Sequence, residues 1–181
     1  MNNEVVIVSA VRTPLGCFMG SLSSFSAVEL GIKAVNGALE RIKLDKNLID
    51  ELIIGHVLQA GCGQAPAKQI AVGCNLKSET PCTSINKVCS SGLKSISIAA
   101  QSIQLGHNDI VIAGGIESMS NCPHYINLRR PKKIGNLSST DGMLLDGLTD
   151  VYSNESMGVL ADKCAEEFQI SRSEQDQYAK D

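Results

Sequence analysis

Four strand-like runs alternate with helical ones over the first two thirds of the chain, and this alternation most limits the possible folds. Glu4-Val5-Val6-Ile7-Val8-Ser9-Ala10 is continuous and apolar, as a strand buried on both faces of a parallel sheet would be. Glu51 to Val57 and Asp109 to Gly115 repeat that pattern, while Thr80 to Asn86 alternates. Ser26-Ala27-Val28-Glu29 has the form of a capping box, and Val28, Ile32, Val35, Leu39 and Ile42 follow at helical spacing. Pro66 suits the start of a short helix, Ala67 to Val72. A longer helix, about Ser90 to Leu105, places Leu93, Ile96, Ala100 and Ile103 on one face, with Gly106 to end it. The order β-α-β-α-β-α-β predicts an α/β fold: a mixed, mostly parallel sheet with helices on both faces.

Ligands of such sheets bind beyond the carboxyl ends of the strands. Cys89 falls at one of those ends, where the third run meets the longer helix. A free cysteine is often a small core residue. Here the helix start, with its open N–H groups and positive dipole end, favours a thiolate. The small neighbours Ser90, Ser91 and Gly92 leave room for a substrate. The expectation is a nucleophile suited to covalent acyl chemistry.

The texture changes after Met119. From Ser120 to Glu155 no period holds for long, and Pro123, Pro131, Gly135, Gly142 and Gly147 punctuate the stretch. Leu128, Met143, Leu144, Leu145 and Leu148 make it too apolar for a linker, so it reads as an excursion over a site or toward a partner subunit. A helix with Met157, Ala161, Cys164 and Phe168 on one face follows, then a second capping box at Ser171-Arg172-Ser173-Glu174. The predicted organisation is a core over residues 1–119 and a loop or lid domain over 120–181. No closing strand returns to the first sheet, so both parts read as incomplete.

Composition narrows the function. With 43% apolar and 19% charged residues among 181, the chain has the balance of a globular protein. A net charge of −3, 3% aromatics and no Trp argue against nucleic-acid binding. No apolar run approaches the roughly 20 residues needed to span a bilayer. Seven cysteines, an odd number without a C-x-x-C pair, suit free thiols in a reducing compartment. No signal peptide precedes the first run, so the expected location is cytoplasmic, with an organelle matrix as the alternative. No metal site is expected.

These landmarks together resemble the N-terminal half of the thiolase family, on its acetyl-CoA acetyltransferase branch. The resemblance rests on Val6 to Pro14, Gly55 to Gly61, Gly63 to Ala67, Asn86 to Lys94, Ala113 to Ser120, Asp146 to Asp150 and Ser171 to Asp176, in that order. It implies that Cys89 takes an acyl group from acyl-CoA as a thioester. An acetyl-CoA carbanion then attacks, giving acetoacetyl-CoA and coenzyme A, reversibly. Coenzyme A thioesters would be substrates, with no bound cofactor, and the full-length form would be a homo-oligomer, dimer or tetramer. The family's activating histidine and second cysteine lie in its C-terminal half, so these residues alone are expected to be inactive.

The resemblance also marks Met157 and Leu148 as candidate substrate-lining residues. Ser156 stands where many relatives have histidine, as a candidate ligand or simply a helix cap. None of His56, His107 and His124 matches the family's histidine, and packing or surface roles are expected for them. Arg12 is expected to tie a strand end to a loop, Glu117 to bind backbone N–H groups, and Arg129 to Lys133 to be solvated or to face a subunit. Two other readings remain: a longer-chain 3-ketoacyl-CoA thiolase or ketosynthase-like enzyme, and a non-catalytic acyl-CoA-binding or assembly module.

Overall fold

The computed structural model describes residues 4–129 and 133–181. Arg130, Pro131 and Lys132 of the basic run lie outside the described residues. The chain divides into two compact units, Met1–His124 and Tyr125–Asp181.

The first unit is built on three parallel strands, β1 (Glu51–Gly55), β2 (Cys82–Ile85) and β3 (Val111–Gly115), in the order β2-β1-β3. Three helices accompany them: α1 (Ala27–Ile42), α2 (Pro66–Gly73) and α3 (Ser91–Gln104). Alternation along β1 decides which helix covers which face. Leu52 and Ile54 point into a core with Val28, Val35 and Leu39 of α1 and Ala67, Ile70 and Ala71 of α2. Gly55, on the alternate face with Ile53, lies under Ser91 and Gly92 of α3. Helices therefore cover both faces, as the alternation predicts.

Local signals act as expected. Ser26 Oγ accepts the Glu29 N–H while the Glu29 carboxylate accepts the Ser26 N–H at 2.8 Å, closing the capping box of α1. Those contacts, with the Ser26 backbone first, hold the Glu29 carboxyl below its usual range. Pro66 opens α2. Gly106, at φ +72°, follows α3, and its N–H bonds the Ile103 carbonyl at 3.0 Å.

Two expectations are corrected. Glu4–Ala10 joins no ladder among the described residues, and Ile7 is 75% exposed. Its tethers run to a helix instead. Ser9 Oγ donates to the Ala38 carbonyl and Arg41 Nη1 to the Ala10 carbonyl. A groove of about 370 Å³, lined by Val5, Val6, Val8, Ile110 and Val111 among others, lies where a shared ladder with β3 would have to form. The segment therefore has strand character in its sequence and no strand partner among the described residues.

The second correction concerns α3. Leu93 is 69% exposed and Ile96 41%, while the buried face is Ser91, Ser95 and Ala99. The strands meet this helix with Gly55 and Gly115, so the backbones approach closely and only small side chains fit between them. Ser95 Oγ donates to both the Gly92 and Gly114 carbonyls, stitching α3 to β3.

The second unit carries a π-helical turn at Leu144–Leu148, then α4 (Met157–Glu167) and α5 (Arg172–Lys180). Ser171 closes the second capping box with Glu174. None of the residues of α4 or α5 is buried. No helix among the described residues is long and apolar enough to cross a membrane.

Candidate functional site

Asn86, Lys87 and Val88 carry the chain from the carboxyl end of β2 to α3, and Cys89 stands exposed in the turn. Two features set this turn. Glycines let α3 sit directly on the sheet: a β-carbon on Gly55 would lie 2.3 Å from the Ser91 carbonyl carbon, and one on Gly115 would lie 3.1 Å from the Gly92 Cα. The backbone then doubles back sharply. Val88 takes φ +48°, a left-handed conformation that a β-branched residue rarely adopts.

Hydrogen bonds hold that conformation. The Asn86 side-chain oxygen accepts the Val88 N–H at 2.8 Å. Ser91 Oγ accepts the Lys87 N–H at 2.8 Å and donates to the Val88 carbonyl at 2.6 Å. Cys89 thus immediately precedes Ser90, the N-cap of a 14-residue helix, next to the leading N–H groups that lack intrahelical partners.

The neighbouring strand ends are tied by a buried polar cluster. His56 is 0% exposed, and its Nε2 lies 3.4 Å from Glu117 Oε1. The Glu117 carboxylate also accepts the Val57 and Leu58 N–H groups, each at 3.1 Å. Glu117 therefore binds backbone N–H groups and joins the end of β1 to the end of β3. Cys62 Sγ is 4.0 Å from the same His56 Nε2. Burial, with the Glu117 charge second, pushes the Cys62 thiol up, so Cys62 remains a protonated thiol rather than a second nucleophile. His56 Nδ1 is buried with no hydrogen-bond partner among the described residues.

Other candidates fall elsewhere. Arg12 is exposed and makes no hydrogen bond or ion pair among the described residues, so it does not tie a strand end to a loop; the tether at Ala10 comes from Arg41 of α1 instead. His107 and His124 are exposed. In the second unit, Ser156 caps α4, its Oγ accepting the Val159 N–H at 3.3 Å. Met157 is the first residue of α4. An antiparallel bridge between Thr149 and Ser156 brings Leu148 near them in the chain path. Leu148, Ser156 and Met157 thus gather in one unit and Cys89 belongs to the other. Among the described residues, no group of three or more His, Cys, Asp or Glu side chains is placed to hold a metal ion.

Sequence reading missed the hydrogen bonds that Ser91 and Asn86 make within the turn. Their proximity to Cys89 was visible, but their hydrogen bonds depend on the turn closing.

These elements define a parallel α/β unit with an exposed cysteine on a strand-to-helix turn. The chain belongs to the thiolase family: residues 5–181 match the model of the thiolase N-terminal domain. It is 52% identical to acetyl-CoA acetyltransferase 2 of Arabidopsis thaliana over 177 residues, covering 97% of this chain and 44% of that protein. It is 50% identical to the mitochondrial acetyl-CoA acetyltransferase of Bos taurus, covering 98% of this chain and 42% of that one. Its fold matches the crystal structure of the Acat5 thiolase from Ascaris suum in complex with coenzyme A, with a TM-score of 0.89 at 42% identity, over 94% of this chain and 44% of that one. The chain spans less than half the length of these relatives.

Proposed function

We propose that this chain is the nucleophile-bearing part of an acetyl-CoA C-acetyltransferase, with Cys89 as the residue that becomes acylated. The observation that carries this reading is the exposed Cys89 on its held turn, in a chain about half identical to acetyl-CoA acetyltransferases. In the first half-reaction the Cys89 sulfur attacks the thioester carbonyl of acetyl-CoA. A sulfur–carbon bond forms to the enzyme, the bond to coenzyme A breaks, and coenzyme A leaves as its thiolate. The exchange of one thioester for another is nearly balanced, which suits a reversible enzyme. In the second, another acetyl-CoA gives an α-proton to a base in the family's C-terminal half, its carbanion bonds to the acyl carbon, and the bond from that carbon to sulfur breaks, yielding acetoacetyl-CoA and the Cys89 thiolate.

Met157 and Leu148 are proposed to line the acyl or pantetheine path. Ser156 Oγ, which already accepts the Val159 N–H, keeps its own proton to donate to a ligand. These 181 residues alone are proposed to accept an acyl group without turning over. The histidine closest in sequence to the β1 end, His56, is closed in by Glu117 rather than set to activate a thiol. The working form is proposed to be a homo-oligomer, in the cytoplasm or an organelle matrix.

Incubation with acetyl-CoA followed by intact mass measurement tests the reading. An acetyl adduct that Cys89→Ala abolishes supports it. A folded protein that takes no adduct favours a non-catalytic acyl-CoA-binding or assembly module. Preference for a longer acyl-CoA over acetyl-CoA in the same assay favours a longer-chain thiolase.

A further inference from the structure

We infer that Ser91 is a positioning residue for Cys89, and that it acts by holding Val88 in its left-handed conformation. This deepens the reading of Cys89 as the nucleophile and rests on it. A β-branched side chain at φ +48° is strained, and such strain persists only where the surroundings over-determine it. Ser91 supplies that constraint from both sides. Its hydroxyl takes the N–H of Lys87, just before Val88, and gives its own proton to the Val88 carbonyl. A hydroxyl is the smallest side chain that both accepts and donates, and its two bonds add to the backbone ones that close the turn, from the Ser90 N–H to the Lys87 carbonyl at 3.2 Å and from the Ser91 N–H to the Val88 carbonyl at 3.0 Å.

Ser91 is itself fixed. It is 4% exposed, and Gly55 of β1 lies directly beneath it. The hydroxyl is therefore referenced to the sheet rather than to a mobile loop. Without it, Val88 relaxes toward negative φ, where an L-residue is unstrained. The peptide that follows then rotates and carries Cys89 away from the start of α3. The Asn86 bond to the Val88 N–H and the backbone bonds to the Lys87 and Val88 carbonyls remain, but the Lys87 N–H loses its acceptor. Val88 is the residue that makes Ser91 necessary. A glycine there would hold the same φ at no steric cost.

The test is the rate at which iodoacetamide modifies Cys89, followed on the peptide that contains it, with the other six cysteines as internal references for folding. This reaction needs no acyl-CoA, so its outcome is separate from that of the acetyl-adduct experiment. Ser91→Ala, which removes two hydrogen bonds, is expected to slow Cys89 roughly fivefold or more, with the buried Cys74 still protected. Val88→Gly alone is expected to stay within about twofold of the parent, and Ser91→Ala combined with Val88→Gly to recover most of the loss. An unchanged rate in Ser91→Ala overturns the proposal. So does a loss of the same size in the Val88→Gly background, which would make Ser91 a packing residue independent of Val88. If Ser91→Ala alone exposes Cys74, refolding by the added Val88→Gly supports the proposal, and failure to refold counts against it.

Discussion

Gly55 lies so close beneath Ser91 that a β-carbon on the glycine would come within 2.3 Å of the Ser91 carbonyl carbon. The start of α3, and with it the Cys89 turn, rests on the bare backbone of the central strand. The obstructing atoms are backbone, so a methyl group here cannot be absorbed by a rotamer change. Gly55→Ala is expected to destabilise the first unit by about 1–3 kcal/mol, the usual cost of overpacking. Urea unfolding of the variant measures it, and an unchanged midpoint would show that α3 can lift without cost.

Glu117, half-buried between the ends of β1 and β3, is expected to matter for stability. Its carboxylate serves the Val57 and Leu58 N–H groups and the buried His56 ring. Glu117→Ala would leave those donors without their acceptor, at a cost of about 2–4 kcal/mol. Thermal unfolding compared with Glu117→Gln, which keeps one acceptor oxygen, separates the charge from the hydrogen bonds.

The thiols should react in an order set by their surroundings. Burial pushes Cys62, Cys74 and Cys82 up, so they stay protonated as well as covered. Cys17, Cys89 and Cys164 are exposed. Limited alkylation near pH 8 followed by peptide mapping should label the exposed three first. Early labelling of Cys74, which is buried between α1 and α2, would contradict the packing described.

Acid should loosen the amino ends of the strands. The Ile110 and Asp109 N–H groups, in that order of effect, hold the Asp50 carboxyl below its usual range and join the approach to β1 to that of β3. A carboxyl whose folded pKa lies below its unfolded value adds stability above the unfolded pKa, about 4. That contribution is lost as pH falls through the folded value. Asp50→Asn should lower stability at pH 7 by no more than about 1 kcal/mol, since solvent screens the exposed group. The gap to the parent should close at the acid end, and a gap that widens there would reverse the sign of the linkage.

The exposed run from Val6 to Val8 should promote association. An apolar segment with strand character and no ladder is a ready template for another chain. Ile7→Lys is expected to shift sedimentation toward monomer at high concentration, and no change would point to a different interface.

What the sequence determined by itself is what depends on a few neighbouring residues. The capping boxes at Ser26 and Ser171, the proline opening α2 and the glycine after α3 act over three or four positions, so their chemistry can be read directly. β1 and β3 follow from their apolar runs and β2 from its alternation, and Cys89 is placed between a strand and a helix. Only the tertiary structure decided what depends on distant chain passing within a few ångströms. Glu4–Ala10 has strand composition, yet pairing requires a partner edge at hydrogen-bonding distance, and its tethers lead to α1. The apolar stripe of α3 suggested the wrong buried face, because Gly55 and Gly115 set a backbone spacing that admits only Ser91, Ser95 and Ala99. The turn that presents Cys89 is of the same kind: Val88 favours an ordinary conformation locally, and the sheet beneath Ser91 holds it in another.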